Sequence, residues 1–482
     1  MSVGNARVSS GVDGLDSVLQ GGFVPERNYM IRGPPGAGKT ILAFHFLSAG
    51  VDAGETALFV NLEEDIDDLR ANASTLGFDT DAIEFLDLSP SAEGFTEDES
   101  YDVFPASEVE QQPFTETIRE RVEAINPDRV VVDPLTQLRY LTSGEYQFRK
   151  QVVGFMRFLK TEGATVLFTT QRTESVSTDD LQFITDGAIV FEIDDGQYIS
   201  VPKFRGSPTL SGDHTFRITE DGLRVYPELQ PGEHRAEFTL ESLSSGVPEV
   251  DNLLHGGLER GTTSIISGAT GVGKTTLGTQ FMCEAASRGE QAVIYLFEEN
   301  RNTFRSRSES IGIPVSEMIE AGTLAVEEVE ALEQSPQEFA NRVRTAVEEN
   351  GATHVMVDGI AGYRVSLQGQ QELTLKHLHA LGRYLNNMGV STIFVDEIQD
   401  VTGGFQATSE NISYLADNIV FLQHLELQGQ LEKAIGVLKK RTSDFERTLR
   451  TYEITGDGIK VGDPLTDLRG IMSGSPEFVD RD

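Results

Sequence analysis

Two eight-residue stretches carry the residue types that handle phosphate. Gly33-Pro-Pro-Gly-Ala-Gly-Lys-Thr40 and Gly268-Ala-Thr-Gly-Val-Gly-Lys-Thr275 both fit G-x-x-x-x-G-K-[ST] at every fixed position. Glycines at this spacing let backbone N–H groups turn inward at a helix N-terminus and cradle phosphate oxygens. The nucleotide-binding set is therefore Gly33, Gly36, Ala37, Gly38, Lys39 and Thr40 in the first stretch. In the second it is Gly268, Gly271, Val272, Gly273, Lys274 and Thr275. Lys39 and Lys274 would reach the β- and γ-phosphates of ATP, and the Thr40 and Thr275 hydroxyls would ligate Mg²⁺.

Carboxylates follow each loop in the same order. Arg129-Val-Val-Val-Asp133 and His354-Val-Met-Val-Asp358 are apolar runs that end in an acid. One strand-end aspartate is ordinarily a turn or a cap; two, each downstream of a phosphate loop, read as the Mg²⁺ ligands Asp133 and Asp358. Glu63-Glu64 and Glu298-Glu299 close the strand after each phosphate-loop helix. In a parallel sheet that edge faces the bound nucleotide. There a carboxylate can polarise water or a hydroxyl for in-line attack on the γ-phosphate. Glu63 and Glu298 are the candidate catalytic carboxylates, supported by Glu64 and Glu299.

The recurrence is systematic. Residues 10–22 (SGVDGLDSVLQGG) and 245–257 (SGVPEVDNLLHGG) coincide at an offset of 235, which also relates Lys39 to Lys274 and Glu63 to Glu298. One domain has been duplicated, giving an expected division into 1–235 and 236–482, where Pro227, Pro231 and Gly232 interrupt a polar stretch. Asp133 and Asp358 differ by 225, so the first copy holds ten extra residues before its acid. Lys203 lies 70 residues beyond Asp133 and Lys439 lies 81 beyond Asp358, which lengthens the second copy around 398–435.

The elements that must position these residues alternate. In the first copy the patterns predict strands over Tyr29–Arg32, Ala57–Leu62, Arg129–Asp133 and Thr165–Thr170, with helices over Thr40–Ala49, Asp65–Leu76, Phe114–Ile125 and Phe148–Thr161. Ile189–Phe191 and Tyr198–Lys203 suggest a closing hairpin, and 79–113 reads as a polar surface loop. The second copy repeats the order with strands Val293–Phe297, His354–Asp358 and Ser391–Val395 and a helix over Leu373–Asn387. The expected fold class is α/β: tandem duplicated P-loop NTPase domains, each with a mostly parallel central sheet covered by helices.

Composition narrows the functional classes. The 77 acidic residues outnumber the 39 basic ones, a formal charge of −38, and the acids run along the whole chain. Such a surface points to a halophilic source and disfavours nucleic acid as a partner. Cys283 is the single cysteine, which excludes an intramolecular disulfide. No apolar run approaches the roughly 20 residues that span a bilayer, and no signal peptide is visible, so a cytoplasmic protein without membrane contact is expected.

With both phosphate loops, both Glu-Glu pairs, both strand-end aspartates and the repeated SGV…GG segments in view, the chain resembles the double-domain members of the KaiC family of RecA-like ATPases. Lys203-Phe-Arg205, Lys439-Lys-Arg441 and Met-Ser-Gly-Ser-Pro at 472–476 add to the resemblance, which covers almost the entire chain. It implies a homohexameric ring with ATP between neighbouring subunits in two tiers. It also implies that Lys203, Arg205, Lys439 and Arg441 reach the neighbour's nucleotide. The family's clock protein phosphorylates itself on adjacent Ser and Thr residues in its second domain. The matching positions here are Ser413, which is kept, and Tyr414, which departs; Thr408 and Ser409 lie close by. The chain stops six residues after Ser-Gly-Ser-Pro, short of the clock protein's C-terminal tail. The resulting expectation is an ATP-hydrolysing regulatory ring, with serine autokinase activity in the second domain and a signalling or clock-type protein partner. The same motifs also allow a nucleic-acid-dependent recombinase or helicase, or an ATP-binding signalling scaffold with little turnover. The recombinase reading requires basic, glycine-rich channel loops, which this acidic sequence does not display.

Overall fold

The computed structural model describes residues 6–89, 112–139, 144–171, 179–330, 333–366, 371–398, 408–409, 412–427, 429–471 and 477–478. The chain divides into two compact units, Met1–Glu228 and Leu229–Asp482. The linker-like residues after Glu228 lie with the second unit, where Asn387 donates to the Pro231 carbonyl at 2.7 Å.

In the first unit the strands are β1 (Asn28–Gly33), β2 (Ala57–Asn61), β3 (Glu84–Asp87), β4 (Arg129–Asp133), β5 (Thr165–Gln171), β6 (Gly187–Ile193), β7 (Gln197–Phe204), β8 (His214–Thr219) and β9 (Gly222–Tyr226). They form one sheet in the order β3-β2-β4-β5-β1-β6-β7-β8-β9. The second unit has β10 (Thr263–Gly268), β11 (Ala292–Leu296), β12 (Leu324–Glu328), β13 (His354–Asp358), β14 (Ser391–Glu397), β15 (Asn418–Leu427), β16 (Gln430–Lys440), β17 (Arg450–Thr455) and β18 (Gly458–Pro464). Their order, β12-β11-β13-β14-β10-β15-β16-β17-β18, repeats the first. Six strands on one side pair in parallel and the last three add antiparallel. The duplicated α/β, RecA-like architecture follows.

Burial explains why the central strands are continuous apolar runs. In β4, Val131 joins the core on one sheet face while Val130 and Val132 join the core on the other. Such side chains are worth about 1.5–3 kcal/mol each when fully buried. The loop-following helices Lys39–Asp52 and Lys274–Ser287 are buried nearly all round, as helices lying against a covered sheet must be.

Three first-unit strands were not anticipated. β3 lies inside the stretch read as loop, and β8 and β9 extend the sheet beyond the expected hairpin; 90–111 fall outside the described residues. The four-residue β3 carries the mixed pattern Glu-Phe-Leu-Asp, too short to set a period. In β8 and β9 buried and solvent-facing residues mix, as in a sheet's outer strands. Part of the second copy's extra length is a longer hairpin: β15 and β16 run ten and eleven residues, against seven and eight for β6 and β7.

Both SGV segments have one structural job. The Ser9 hydroxyl and Ser10 N–H donate to the two Asp16 carboxylate oxygens at 2.6 and 2.7 Å, and Ser244 and Ser245 treat Asp251 identically. In each Gly-Gly turn the second glycine is indispensable. Gly257 sits at φ +112°, and a Cβ there would lie 2.0 Å from the Leu243 carbonyl oxygen.

Candidate active sites

Each phosphate loop leaves the carboxyl end of its central strand, β1 or β10. Gly38 and Gly273 occupy the position before the helix at φ +89° and +109°, in the left-handed region. A Cβ on Gly273 would come within 2.4 Å of Ile454, whereas on Gly36 or Gly271 it would meet nothing within 4 Å. The outer glycines therefore face open space, and their positive φ of +75° and +71° shapes the cradle. Over the second loop lies a cleft of about 540 Å³, bordered by Lys274, Thr275, Glu298, Glu299, Asp358 and Glu397.

The structure brings lysine, threonine and aspartate together in both units. Thr40 donates to Asp133 at 2.6 Å, and Thr275 donates to Asp358 at 2.9 Å. Thr169 also donates to the other Asp133 oxygen. Burial raises the Asp133 carboxyl above the ordinary carboxylate range, with the Thr169 and Thr40 hydroxyls and Lys39 opposing. Burial pushes Asp358 up to about 7, against the Thr275 bond and with help from Glu299 and Glu298. Lys39 donates to the loop carbonyls of Gly33 and Pro34, and Lys274 to that of Ala269. Both ammonium groups titrate below the usual lysine range because they are buried, while nearby carboxylates oppose the shift.

The glutamate pairs stand at the same edge but are held differently. Gln171 donates to Glu63 at 3.0 Å, and the Gly362 N–H donates to Glu298 at 3.2 Å. Burial raises the Glu64 carboxyl, helped by Asp133 and Glu63. Burial also raises Glu299, whose partner Arg307, 2.6 Å away, pulls it back. A buried carboxylate beside a glycine-lined loop and an ammonium is the equipment of phosphoryl transfer.

The sequence profile described as ATPase: KaiC matches residues 8–230 and again 243–466. The chain belongs to the KaiC family of ATPases. Among similar curated proteins is the "Circadian clock oscillator protein KaiC" of Prochlorococcus marinus strain MIT 9313, 25% identical over 99% of this chain and 96% of the relative. Proteins of the same description from Acaryochloris marina and from Prochlorococcus marinus strain SARG are 25% and 26% identical, over 99% and 98% of this chain and 92% and 95% of their own lengths.

In both KaiC domains the Lys–Arg pair sits away from its own loop. Lys203 pairs in register with Ala188 and through it with Met30, three residues before Gly33. Lys439 pairs with Ile419 and through it with Ile265, three residues before Gly268. That is about 10 Å towards the opposite end of the sheet. Lys203 donates to the carbonyls of Gln182, Phe183 and Thr185, and Lys439 to those of Ser413 and Ala416. Arg205 lies 3.9 Å from Asp186 and Arg441 lies 3.2 Å from Asp417, both half exposed. Ser413 is thus anchored by its carbonyl at the end of the domain remote from Lys274, beside the exposed Tyr414. Ser409 is on the other end, where its N–H and hydroxyl donate to the buried Asp396 at 2.6 and 2.5 Å. Residues 472–476 lie outside the described residues.

Sequence reasoning passed over Gln171, Asp396, Glu397 and Arg307. The first three were accessible: they end the strand after the aspartate strand, on the same carboxyl edge as the motifs. No helix among the described residues is long and apolar enough to cross a membrane.

Proposed function

We propose that each domain binds Mg²⁺ and ATP at its phosphate loop and that the first domain hydrolyses it within a homohexameric ring. The observation that carries this reading is the lysine–threonine–aspartate–glutamate constellation built twice at the carboxyl edge of a sheet. The Thr40–Asp133 and Thr275–Asp358 oxygen pairs suit a small hard cation, which would complete its shell with phosphate and water oxygens. When bound, Mg²⁺ supplies charge neutralisation of the phosphates. Lys39 and Lys274 bind the β- and γ-phosphates, and Glu63 accepts the proton of the attacking water as ADP leaves.

Lys203, Arg205, Lys439 and Arg441 stand too far down the sheet to serve their own loop, which supports their acting on the adjacent subunit's nucleotide. The same placement makes phosphorylation of Ser413 a reaction between subunits. The Ser413 oxygen would attack the neighbour's γ-phosphate, Glu298 of that neighbour would take the proton, and ADP would leave. The similarity to circadian clock oscillator proteins supports a clock-type or other signalling role.

Native mass spectrometry with and without ATP tests assembly, with phosphosite mapping on the same sample. Six-subunit particles with ATP and phosphate on Ser413 are expected. A monomer under both conditions overturns the ring, and label on Ser413 that survives Glu298→Gln undiminished overturns the assignment of Glu298.

A further inference from the structure

The two phosphate-loop sites differ in charge at the end of the strand that flanks the loop, where Thr170 and Gln171 stand in the first domain and Asp396 and Glu397 in the second. In the first domain Gly33 pairs in register with Gln171; in the second Gly268 pairs with Glu397. The matched residues carry opposite possibilities. Gln171 is neutral, and its amide nitrogen, now donating to Glu63, is a donor at the strand end. Glu397 is an acceptor with a negative charge, 3.7 Å from the Lys274 ammonium, and it borders the cleft.

We propose that Glu397 sets the nucleotide preference of the second cleft, disfavouring the γ-phosphate so that a nucleoside diphosphate competes there with the triphosphate far better than in the first. This rests on the reading that the cleft binds nucleotide. The lysine of a phosphate loop reaches the β- and γ-phosphates. The β-phosphate lies in the loop's backbone cradle, where N–H groups serve it in both domains alike. The γ-phosphate depends more on the ammonium, which Glu397 already holds, and its oxygens must approach a second anion. Gln171 removes that repulsion and offers an N–H instead. Glu298 and Asp358 have counterparts in Glu63 and Asp133, so they cancel in the comparison; Asp396, which matches the neutral Thr170, is engaged by the Ser409 N–H and hydroxyl. Two cations border the second cleft in addition: Arg307 is engaged by Glu299 at 2.6 Å, and Lys433 lies on β16.

The test is a titration of the full-length chain, in excess Mg²⁺, with methylanthraniloyl-labelled ATP and ADP. Lys39→Ala silences the first cleft. In that background Glu397→Gln is expected to lower the ratio of the ATP Kd to the ADP Kd about tenfold. Gln171→Glu in a Lys274→Ala background should raise the first cleft's ratio by about the same factor. Saturable binding with a ratio that stays within about twofold in Glu397→Gln overturns the proposal and leaves the nucleotide reading standing. Failure of the Lys39→Ala chain to bind either nucleotide overturns both. An equal and opposite change of ratio in Lys433→Gln assigns the preference to net cleft charge and overturns the role of Glu397.

Discussion

The two domains share a sheet order and a phosphate loop yet solve one buried position in opposite ways. Arg129 begins β4, pairs with Glu55 at 2.5 Å, and donates to the carbonyls of Ser9 and Phe46, each at 2.7 Å. The matching residue of the second domain is His354, beside Glu290. A small cavity opens there, lined among others by His354, Ser244 and Phe281, the last two being the counterparts of Ser9 and Phe46. The Nε2 of His354 has no hydrogen-bond partner among the described residues. Arg260 compensates by reaching Glu290 at 2.7 Å from another direction. The two copies share the backbone plan and the edge that handles phosphate, while this position at the opposite edge differs, because any residue that satisfies the half-buried glutamate will serve.

The strongest challenge to this picture is catalytic asymmetry. Glu63→Gln should lower steady-state ATP turnover by about 10²-fold or more, the usual worth of a positioned base. Glu298→Gln should leave turnover within about twofold while removing phosphate from Ser413. Equal losses in the two variants, measured by phosphate release, would make the domains functionally equivalent.

Next in size is the pair of the buried Arg129 with the half-buried Glu55. Arg129→His is expected to destabilise the first domain by about 2 kcal/mol, since it leaves the carbonyls of Ser9 and Phe46 without their donor, while the part-exposed Glu55 falls back on water. The reciprocal His354→Arg fills the second domain's cavity and should stabilise it by about 1 kcal/mol. Domain-resolved hydrogen exchange reads both, and a stabilising Arg129→His would refute this account of the edge.

The smallest effect concerns acid. Burial lowers the His45 pKa to about 4, partly opposed by a bond to Gly11, and its ring nitrogen accepts from the Leu223 N–H at 2.8 Å. The unfolded chain therefore takes up the proton first, near pH 6.5. Stability from the neutral ring is present above that pH and drains away as pH falls towards 4. The second domain has Gln280 at the matching place, donating to the Ser245 carbonyl at 3.1 Å. His45→Gln should flatten the first domain's acid-side loss of amide protection between those limits. An unchanged slope would show that His45 contributes nothing to it.

Much of the site is legible in the order of residues alone. The glycine loops, Asp133 and Asp358 announce themselves because their chemistry depends on local spacing: a left-handed Gly38 or Gly273 opens a helix within a few residues of the lysine it presents. β1, β4 and their repeats are equally plain, because a strand covered on both faces must be apolar throughout. The 235-residue offset exposes the duplication with no reference to any contact.

Other features depend on which strands become neighbours. The short β3 and the outer β8 and β9 gain their stability from partners distant in sequence, so local pattern is weak. That Gln171 holds Glu63 while Glu397 holds Lys274 follows from the pairing of β5 with β1 and of β14 with β10. Lys203 and Lys439 look like surface charges near a nucleotide; strand register puts them at the far end of the sheet, bound to backbone carbonyls. Sequence determined the phosphate chemistry because it is encoded in contiguous residues. Tertiary structure decided which charges share a site, because Coulomb energy depends on distance in space and not along the chain.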